Sequence, residues 1–268
     1  MFDDFDYTGS DDPALTAHGW SVRTESGAPG VNGATWSMDA VTFPTSPDAA
    51  DGRVLRLTAS TDGSAAHTVE AEVDSTARKY FEGTYAARVY LEDAPTSGPD
   101  GDDVNETFYA ITPLNGCDDP KYSENDFEYL PNGGWGDAGP QMSNTTWYTY
   151  CESPSTSDNR GNSVYRSVQG WHTLLMTVSA GTVTYYVDGR KLWSSGGKYY
   201  PREPMSIEFN EWFIDGYLSK SPIGRAWDES VDWVYYAKGQ ALSTSAVQAQ
   251  VDALRGAGVR FTDEVAAQ

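Results

Sequence analysis

The chain has 268 residues, of which 39 are acidic and 18 basic, giving a net charge of -21 at pH 7. A surface this acidic repels phosphate backbones, which argues against a nucleic-acid partner. No run of 18 or more apolar residues is present, so the sequence predicts no membrane-spanning helix and no membrane partner. Aromatic residues make up 13% of the chain and 26 residues are glycine, a composition that favours pleated strands and tight turns.

Alternating, β-rich segments bounded by Gly, Pro, Asp and Asn recur along the chain. They predict strands at residues 53–59, 83–91, 106–112, 122–130, 141–150, 171–179, 182–188, 205–214 and 231–237. Ala180-Gly181 is a two-residue hairpin signal between two of these segments. Many short antiparallel strands predict an all-β sandwich or jelly roll that forms one domain over residues 1–268.

A helical tail, residues 241–268, is expected to pack on the outside of this sandwich. Ser243, Thr244 or Ser245 can cap a short helix. The apolar face of that helix would carry Val247, Val251 and Leu254.

The two cysteines, Cys117 and Cys151, are placed symmetrically about Gly134. In an antiparallel hairpin that turns near Gly134, residues whose numbers sum to about 268 face each other. Cys117 and Cys151 meet this condition, so the sequence predicts a disulfide bond. A disulfide implies an oxidising compartment, and we expect a secreted, extracellular protein.

Three carboxylates occupy alternate positions of one predicted strand, at Glu124, Asp126 and Glu128. Residues two apart in a strand share a face, so all three side chains point the same way. A retaining glycosidase needs two carboxyl groups roughly 5–5.5 Å apart, one as nucleophile and one as proton donor. Positions four apart lie about 13 Å apart at Cα in a flat strand, so convergence requires a curved sheet with this face concave.

The segment 124–130, with the sequence ENDFEYL, resembles the catalytic strand of glycoside hydrolase family 16, the lichenase, laminarinase and xyloglucan transglycosylase group. Its carboxylate spacing is similar to that of lichenases and xyloglucan enzymes. Further landmarks in the family's order are residues 82–88, 141–147, 170–189, 207–212 and 231–234. The resemblance implies a concanavalin A-like antiparallel β-jelly roll with a concave cleft that hydrolyses β-glucans with retention.

By match to this motif, Glu124 would be the nucleophile, Glu128 the general acid/base and Asp126 the residue that separates their pKa values. Two positions depart from the family pattern. Asp74-Ser75-Thr76 stands where lichenases have a substrate-binding Arg, and Asn125 replaces an Ile or Val between the carboxylates.

Several aromatic and polar residues are candidates for substrate binding, because a sugar ring stacks on an indole and fixes its orientation there. Asn210 and Trp212 share a face of one predicted strand, Trp135 lies in a Gly-rich turn, and Trp147 follows on the next strand. Either Tyr109 or Phe108 faces the cleft, since alternation allows only one of them to do so.

The resemblance also implies a structural calcium ion, held partly by the closing-strand carboxylate, which matches Asp232 here. Catalysis by two carboxyl groups needs no cofactor.

These observations favour a monomeric, retaining, endo-acting glycoside hydrolase whose partner is a polysaccharide. The substrate that they favour first is a β-1,3 or mixed-linkage β-glucan. Two alternatives remain open. One keeps the mechanism on a galactan or other β-glycan, or as a transglycosylase; the other is a non-catalytic, lectin-like protein on the same fold.

Overall fold

The computed structural model describes residues 1–49, 52–117, 119–151 and 156–266. In these residues the strands are β1 Phe2–Asp3, β2 Trp20–Val22, β3 Thr35–Trp36, β4 Val41–Thr42, β5 Leu55–Thr61, β6 Val69–Ser75, β7 Gly83–Leu91, β8 Val104–Ile111, β9 Glu124–Leu130, β10 Gly133–Gly134, β11 Asp137–Ala138, β12 Gln141–Thr149, β13 Asp158–Tyr165, β14 Gly170–Ser179, β15 Thr182–Val187, β16 Arg190–Gly196, β17 Ser206–Phe213, β18 Arg225–Lys238 and β19 Phe261–Thr262. The α-helices are α1 Pro13–Ala17 and α2 Thr244–Gly256. None of the helices in these ranges has the length and apolarity needed to cross a membrane.

Two large antiparallel sheets face each other. The first has the strand order β2-β6-β17-β8-β9-β12-β13. The second runs β4-β5-β18-β7-β14-β15-β16, with β1 on the edge of β18. Pairing of β5 with β6 joins the two sheets at one side. This architecture confirms the predicted β-jelly roll.

Side-chain alternation assigns one face of the first sheet to the core. Along β17, Phe209 and Phe213 are fully buried between the sheets, while Trp212 points to the opposite, outer face. The Phe209 ring stacks on Phe108 of β8 with centroids 5.0 Å apart, and Phe108 stacks on Phe127 of β9 at 6.0 Å. Burying each such ring contributes roughly 1.5–3 kcal/mol, so the row of rings fixes the register of β17, β8 and β9.

The nine predicted strands are all present, and residues 83–91 match β7 at both ends. Strand β18 begins six residues earlier than the predicted segment 231–237 and ends one residue later. Strands β6, β13 and β16 were missed as separate predictions. Strand β13 has the sequence DNRGNSVY and an exposed or half-buried pattern throughout, which gives no apolar alternation to detect.

Helix α2 lies on the outer face of the second sheet. Of the three predicted caps, Ser243 is the one used, and its Oγ accepts a hydrogen bond from the Ala246 N–H at 3.2 Å. Val247 and Val251 are fully buried against Trp233 and its neighbours. The end of the predicted tail, residues 267–268, lies outside the described residues.

The disulfide between Cys117 and Cys151 is confirmed, with the two Cα atoms 4.7 Å apart. The predicted register of the hairpin was wrong. Trp147 pairs with Glu124, so facing residues sum to 271, and the turn lies at Trp135-Gly136 rather than near Gly134. Cys117 reaches Cys151 from the loop between β8 and β9 and not as a cross-strand partner.

We predict that the double variant Cys117→Ser/Cys151→Ser unfolds more easily than the parent protein. The bond closes a loop with a sequence separation of 34 residues. In the chain-entropy account, such a loop stabilises the folded state by about 3–4 kcal/mol. Guanidinium unfolding monitored by fluorescence measures the loss, with the reduced parent protein as the matched control. An unchanged midpoint would contradict a stabilising role for the bond.

A second feature of the core is a buried group of three glutamates, Glu106, Glu211 and Glu229, with side chains between the sheets. Their exposed fractions are 1%, 0% and 0%. Glu106 and Glu211 are direct cross-strand partners on β8 and β17, and Glu229 comes from β18 of the other sheet. The backbone N–H of Glu92 donates to Glu106 at 3.0 Å, whereas neither carboxyl oxygen of Glu211 has a hydrogen-bond partner in the described part of the chain.

Burial raises the pKa of each of these three carboxyl groups well above its usual range. The charges of Glu106 and Glu229 add to this effect at Glu211, and the Thr107 N–H opposes it at Glu229. Because the folded-state pKa of each group lies above its unfolded value, the contribution of these groups to the free energy of unfolding is fully present at acid pH. It is lost as the pH rises from about 4.3 through the folded-state pKa, because the unfolded chain releases the proton first.

We therefore predict that Glu211→Gln increases the free energy of unfolding at neutral pH. The amide keeps the shape of the protonated acid and removes its titration, so the gain grows by up to about 1.4 kcal/mol per pH unit. Urea unfolding between about pH 5 and pH 8 measures it, with the exposed Glu264→Gln as control. A difference between variant and parent that does not change with pH would contradict the prediction.

Candidate active site

The three predicted catalytic carboxylates, Glu124, Asp126 and Glu128, lie on the outer face of the first sheet, hereafter the carboxylate face. Strand β9 carries them at alternate positions between β8 and β12. Asp126 is 2% exposed, and the two glutamates are half-buried. The structure therefore brings together the side chains that alternation predicted would share a face.

Each carboxylate accepts a hydrogen bond from a different neighbouring side chain. The Tyr122 hydroxyl donates to Oε2 of Glu124. Trp147 Nε1 of β12 donates to Oδ2 of Asp126 at 2.7 Å. Asn105 Nδ2 of β8 donates to Oε1 of Glu128 at 2.7 Å. These donors orient the three carboxylates and reduce the cost of removing them from water.

Burial is the main cause that shifts the protonation of these groups. It raises the pKa of Glu124 to about 7, against the opposing effect of the Tyr122 hydrogen bond. Burial and then the charges of Glu124 and Glu128 raise the pKa of Asp126 well above its usual range. Burial also raises the pKa of Glu128, and the Asn105 hydrogen bond opposes it. The central carboxyl group is thus the one that holds its proton most strongly, and it can donate that proton to a neighbour.

Aromatic residues gather at the end of the carboxylate face beyond Glu128. Trp135 is 56% exposed in the turn between β10 and β11, and its ring centroid lies 6.2 Å from that of Trp212. Trp212 packs with Trp36, Leu130 and Ile214 in one apolar cluster. Trp135, predicted to lie in a Gly-rich turn, therefore offers an exposed indole face to a flat ligand, whereas Trp212 is 9% exposed and packs within this cluster.

The choice between Tyr109 and Phe108 is settled by the register of β8. Phe108 belongs to the core, and Tyr109 faces outward opposite Asp126. The Tyr109 hydroxyl accepts a hydrogen bond from Asn210 Nδ2 at 3.1 Å, and Asn210 also donates to Glu72 at 3.1 Å. Trp147 is half-buried, and its indole N–H is used by Asp126.

Three more acidic side chains extend the carboxylate face across β17 and β6. Glu208 is the cross-strand partner of both Tyr109 on β8 and Asp74 on β6. Glu72 lies one position further along the same face and forms an ion pair with Arg23 at 3.2 Å. The Arg23 guanidinium in turn stacks over the Trp36 ring at 4.0 Å.

Sequence reasoning missed several members of this group: Tyr122, Asn105, Trp36, Arg23 and Glu72. A signal existed for Tyr122, which precedes Glu124 by two residues. Asn105 could have been found by extending the alternation of Tyr109 back along β8. No sequence signal connects Trp36 or Arg23 to the site, because both come from a segment far from β9 in the chain.

The side chains around Asp232 do not fit the calcium ion that the family resemblance implied. The Asp232 carboxylate is 1% exposed, and a guanidinium lies on each of its oxygens. Arg88 Nη1 is 2.6 Å from Oδ2, and Arg255 Nη2 of α2 is 2.8 Å from Oδ1. Two fixed positive charges at this distance repel a divalent cation and occupy the oxygens that would bind it.

The fold and the carboxylate face together define a β-jelly roll with a row of acidic groups on one sheet. No family model and no curated protein matches the sequence. Solved structures do match. A β-glucanase of Bacillus licheniformis is 16% identical with a TM-score of 0.62, covering 89% of this chain and 97% of its own. A family 16 enzyme from a mixed-linkage glucan locus of Bacteroides ovatus, in complex with a product, is 17% identical with a TM-score of 0.67, covering 88% and 99%. The κ-carrageenase of Pseudoalteromonas carrageenovora is 17% identical with a TM-score of 0.60, covering 88% and 92%. The chain therefore has the fold of the family 16 glycoside hydrolases.

We predict that Tyr122→Phe raises the pKa of Glu124, because it removes the hydrogen bond that stabilises the ionised carboxylate. Titration of the glutamate carboxyl carbons by NMR measures the shift, and loss of one resonance in Glu124→Gln assigns the signal. Tyr165→Phe, at an exposed position at the end of β13, is the matched control. An unshifted titration curve in Tyr122→Phe would show that this hydrogen bond does not influence Glu124.

Proposed function

We propose that this protein is a retaining, endo-acting glycoside hydrolase of family 16 that cleaves a β-linked polysaccharide, a β-1,3 or mixed-linkage β-glucan. One observation carries the proposal: Glu124, Asp126 and Glu128 lie in a row, and each is held by its own donor. Such a row is energetically unfavourable, since like charges at alternate positions repel and burial opposes their ionisation. Its presence therefore indicates a functional role.

In the first chemical step, Glu128 gives its proton to the glycosidic oxygen as the bond to the anomeric carbon breaks. The Glu124 carboxylate attacks that carbon from the opposite side and forms a glycosyl ester. In the second step, Glu128 removes a proton from a water molecule, which attacks the same carbon and releases Glu124. Two displacements return the product with the anomeric configuration of the substrate.

The groups around the carboxylates set the protonation states that these two reaction steps need. The raised pKa of Glu128 favours the protonated acid at the start. The Tyr122 hydroxyl favours the ionised form of Glu124, and the protonated Asp126 can donate to it as well. When the ester is cleaved, negative charge returns to Glu124, and these donors stabilise the departing carboxylate.

Sugar rings would bind along the carboxylate face. Trp135 offers an exposed stacking surface on one side of Glu128, and the largely buried Trp212 ring lies behind it. Asn210 and Tyr109 offer polar groups on the β17 and β8 strands. An open face of this kind accepts a chain at internal positions, which supports endo action.

The second candidate is the same mechanism acting on a galactan or by transglycosylation, because a κ-carrageenase has a similar fold. A lectin-like protein is less favoured, because sugar binding alone gives no reason for a row of one buried and two half-buried carboxylates with separate donors. The disulfide and the acidic surface support a secreted enzyme that acts as a monomer.

We predict that Glu124→Ala and Glu128→Gln each lower turnover of a β-glucan by at least about 10³-fold while folding is retained. Release of reducing ends from laminarin, barley mixed-linkage glucan, xyloglucan, agarose and an arabinogalactan measures activity, with Glu203→Gln as control. Proton NMR of the first product reports retention. Wild-type rates in both variants, or an inverted product, would contradict the proposed roles.

A further inference from the structure

The acidic side chains of the carboxylate face are distributed unevenly about the proposed nucleophile. On the side formed by β17 and β6, Glu72, Asp74 and Glu208 follow one another within two strands. On the side formed by β12 and β13, the outward positions opposite Glu124, Asp126 and Glu128 are Trp147, Thr145 and Ser143, and Gly161 of β13 lies next to Thr145. The first side thus presents several carboxyl groups, and the second presents none among these positions.

Only one of the three additional acids is balanced by a cation. Arg23 pairs with Glu72. In the described part of the chain, no ion pair joins Asp74 or Glu208 to Lys or Arg. Arg78 is exposed and acts on Asp74 only at longer range, against the charges of Glu72 and Glu25.

Asp74 and Glu208 also lie directly opposite each other. They are cross-strand partners in the antiparallel pair of β6 and β17, and both side chains point to the carboxylate face. Cβ atoms of such partners are about 4.5–5.5 Å apart, and like charges at that separation destabilise the sheet.

We propose that Asp74 and Glu208 form a charge filter that makes this face select uncharged glycans and reject the same glycan backbone when it carries carboxylate or sulfate groups. The proposal rests on the proposed hydrolase function and adds specificity-determining residues to it. Where the pair is ionised, the bound sugar would be held through its own hydroxyl donors, because a carboxylate accepts hydrogen bonds and cannot donate them. An anionic substituent would meet two carboxylates that no cation balances.

Protonation gives the filter a pH dependence. Burial, and then the charge of Glu72, raises the pKa of Asp74 to about 6 and that of Glu208 to about 8. Ser206 and Tyr109, which contact Glu208, lower its pKa in part. The pair therefore gains negative charge as the pH rises from about 5 to about 8, and rejection of anions should strengthen over this interval.

The test compares two substrates that share one backbone: a neutral β-glucan that the enzyme cleaves and its carboxymethylated derivative. The measured quantity is the ratio of kcat/KM for the neutral glycan to that for the carboxymethylated one. We expect a ratio of roughly tenfold or more at low ionic strength, rising with pH and falling when salt is added. Because both substrates use the same catalytic groups, the pH dependence of the chemistry largely cancels in the ratio.

The decisive variant is Asp74→Asn/Glu208→Gln, which removes two carboxyl groups with little change in shape. It should lower the ratio several-fold and remove most of its rise with pH. Glu264→Gln/Asp252→Asn makes the same change in net charge at exposed positions off this face and should leave the ratio unchanged. The single variants Asp74→Asn and Glu208→Gln provide the same readout if the double variant does not fold.

The outcomes separate this inference from the proposed function. If no neutral glycan is cleaved, the hydrolase assignment fails, and affinity electrophoresis against the two glycans still tests the filter. If the neutral glycan is cleaved and the ratio is near one, the filter is wrong while the enzyme stands. An equal fall in the ratio for the remote double variant would assign the effect to net charge and overturn the role of Asp74 and Glu208.

Discussion

The site depends on keeping three carboxyl groups at alternate positions of one strand, where their charges repel and burial opposes ionisation. Hydrogen-bond donors on both neighbouring strands stabilise this arrangement. Asn105 of β8 donates to Glu128, and Trp147 of β12 donates to Asp126. A register slip of one residue in either strand pair would send the donor to the opposite face of the sheet. The proposed chemistry therefore requires that β8 and β12 pair with β9 in this register.

The opposite face of the same sheet maintains that register. Stacked rings of Phe209, Phe108 and Phe127 run across β17, β8 and β9 beneath the carboxylate face. Next to them, Glu106 and Glu211 interrupt the apolar surface, each adjacent in sequence to a residue of the site. Folding favours the protonated form of these carboxyl groups, and keeping them protonated costs more free energy as the pH rises. The stability of the sheet that carries the site therefore depends on proton uptake in the core.

Charge balance on the second sheet is achieved by guanidinium groups. Arg255 of α2 binds Asp232 of β18 and also Asp4, which follows β1. These contacts tie the helical tail and the N-terminal strand to the strand that pairs with β7. The position at which the family resemblance suggested a metal ion is thus stabilised by side chains of this chain, and a positive charge is supplied without a cation from solution.

The sequence by itself determined the fold class, the strands with clear alternation, the shared face of Glu124, Asp126 and Glu128, and the cysteine pair, because these follow from local periodicity and spacing. Strands β13 and β16 escaped because their sequences lack that periodicity, whereas β6, with the sequence VEAEVDS, alternates and was overlooked. Only the tertiary structure decided which donors hold the carboxylates, that Asp74 faces Glu208, and that Arg255 pairs with Asp232. Those relations join residues far apart in the chain, and they depend on strand order and register, which the chain's local pattern does not contain.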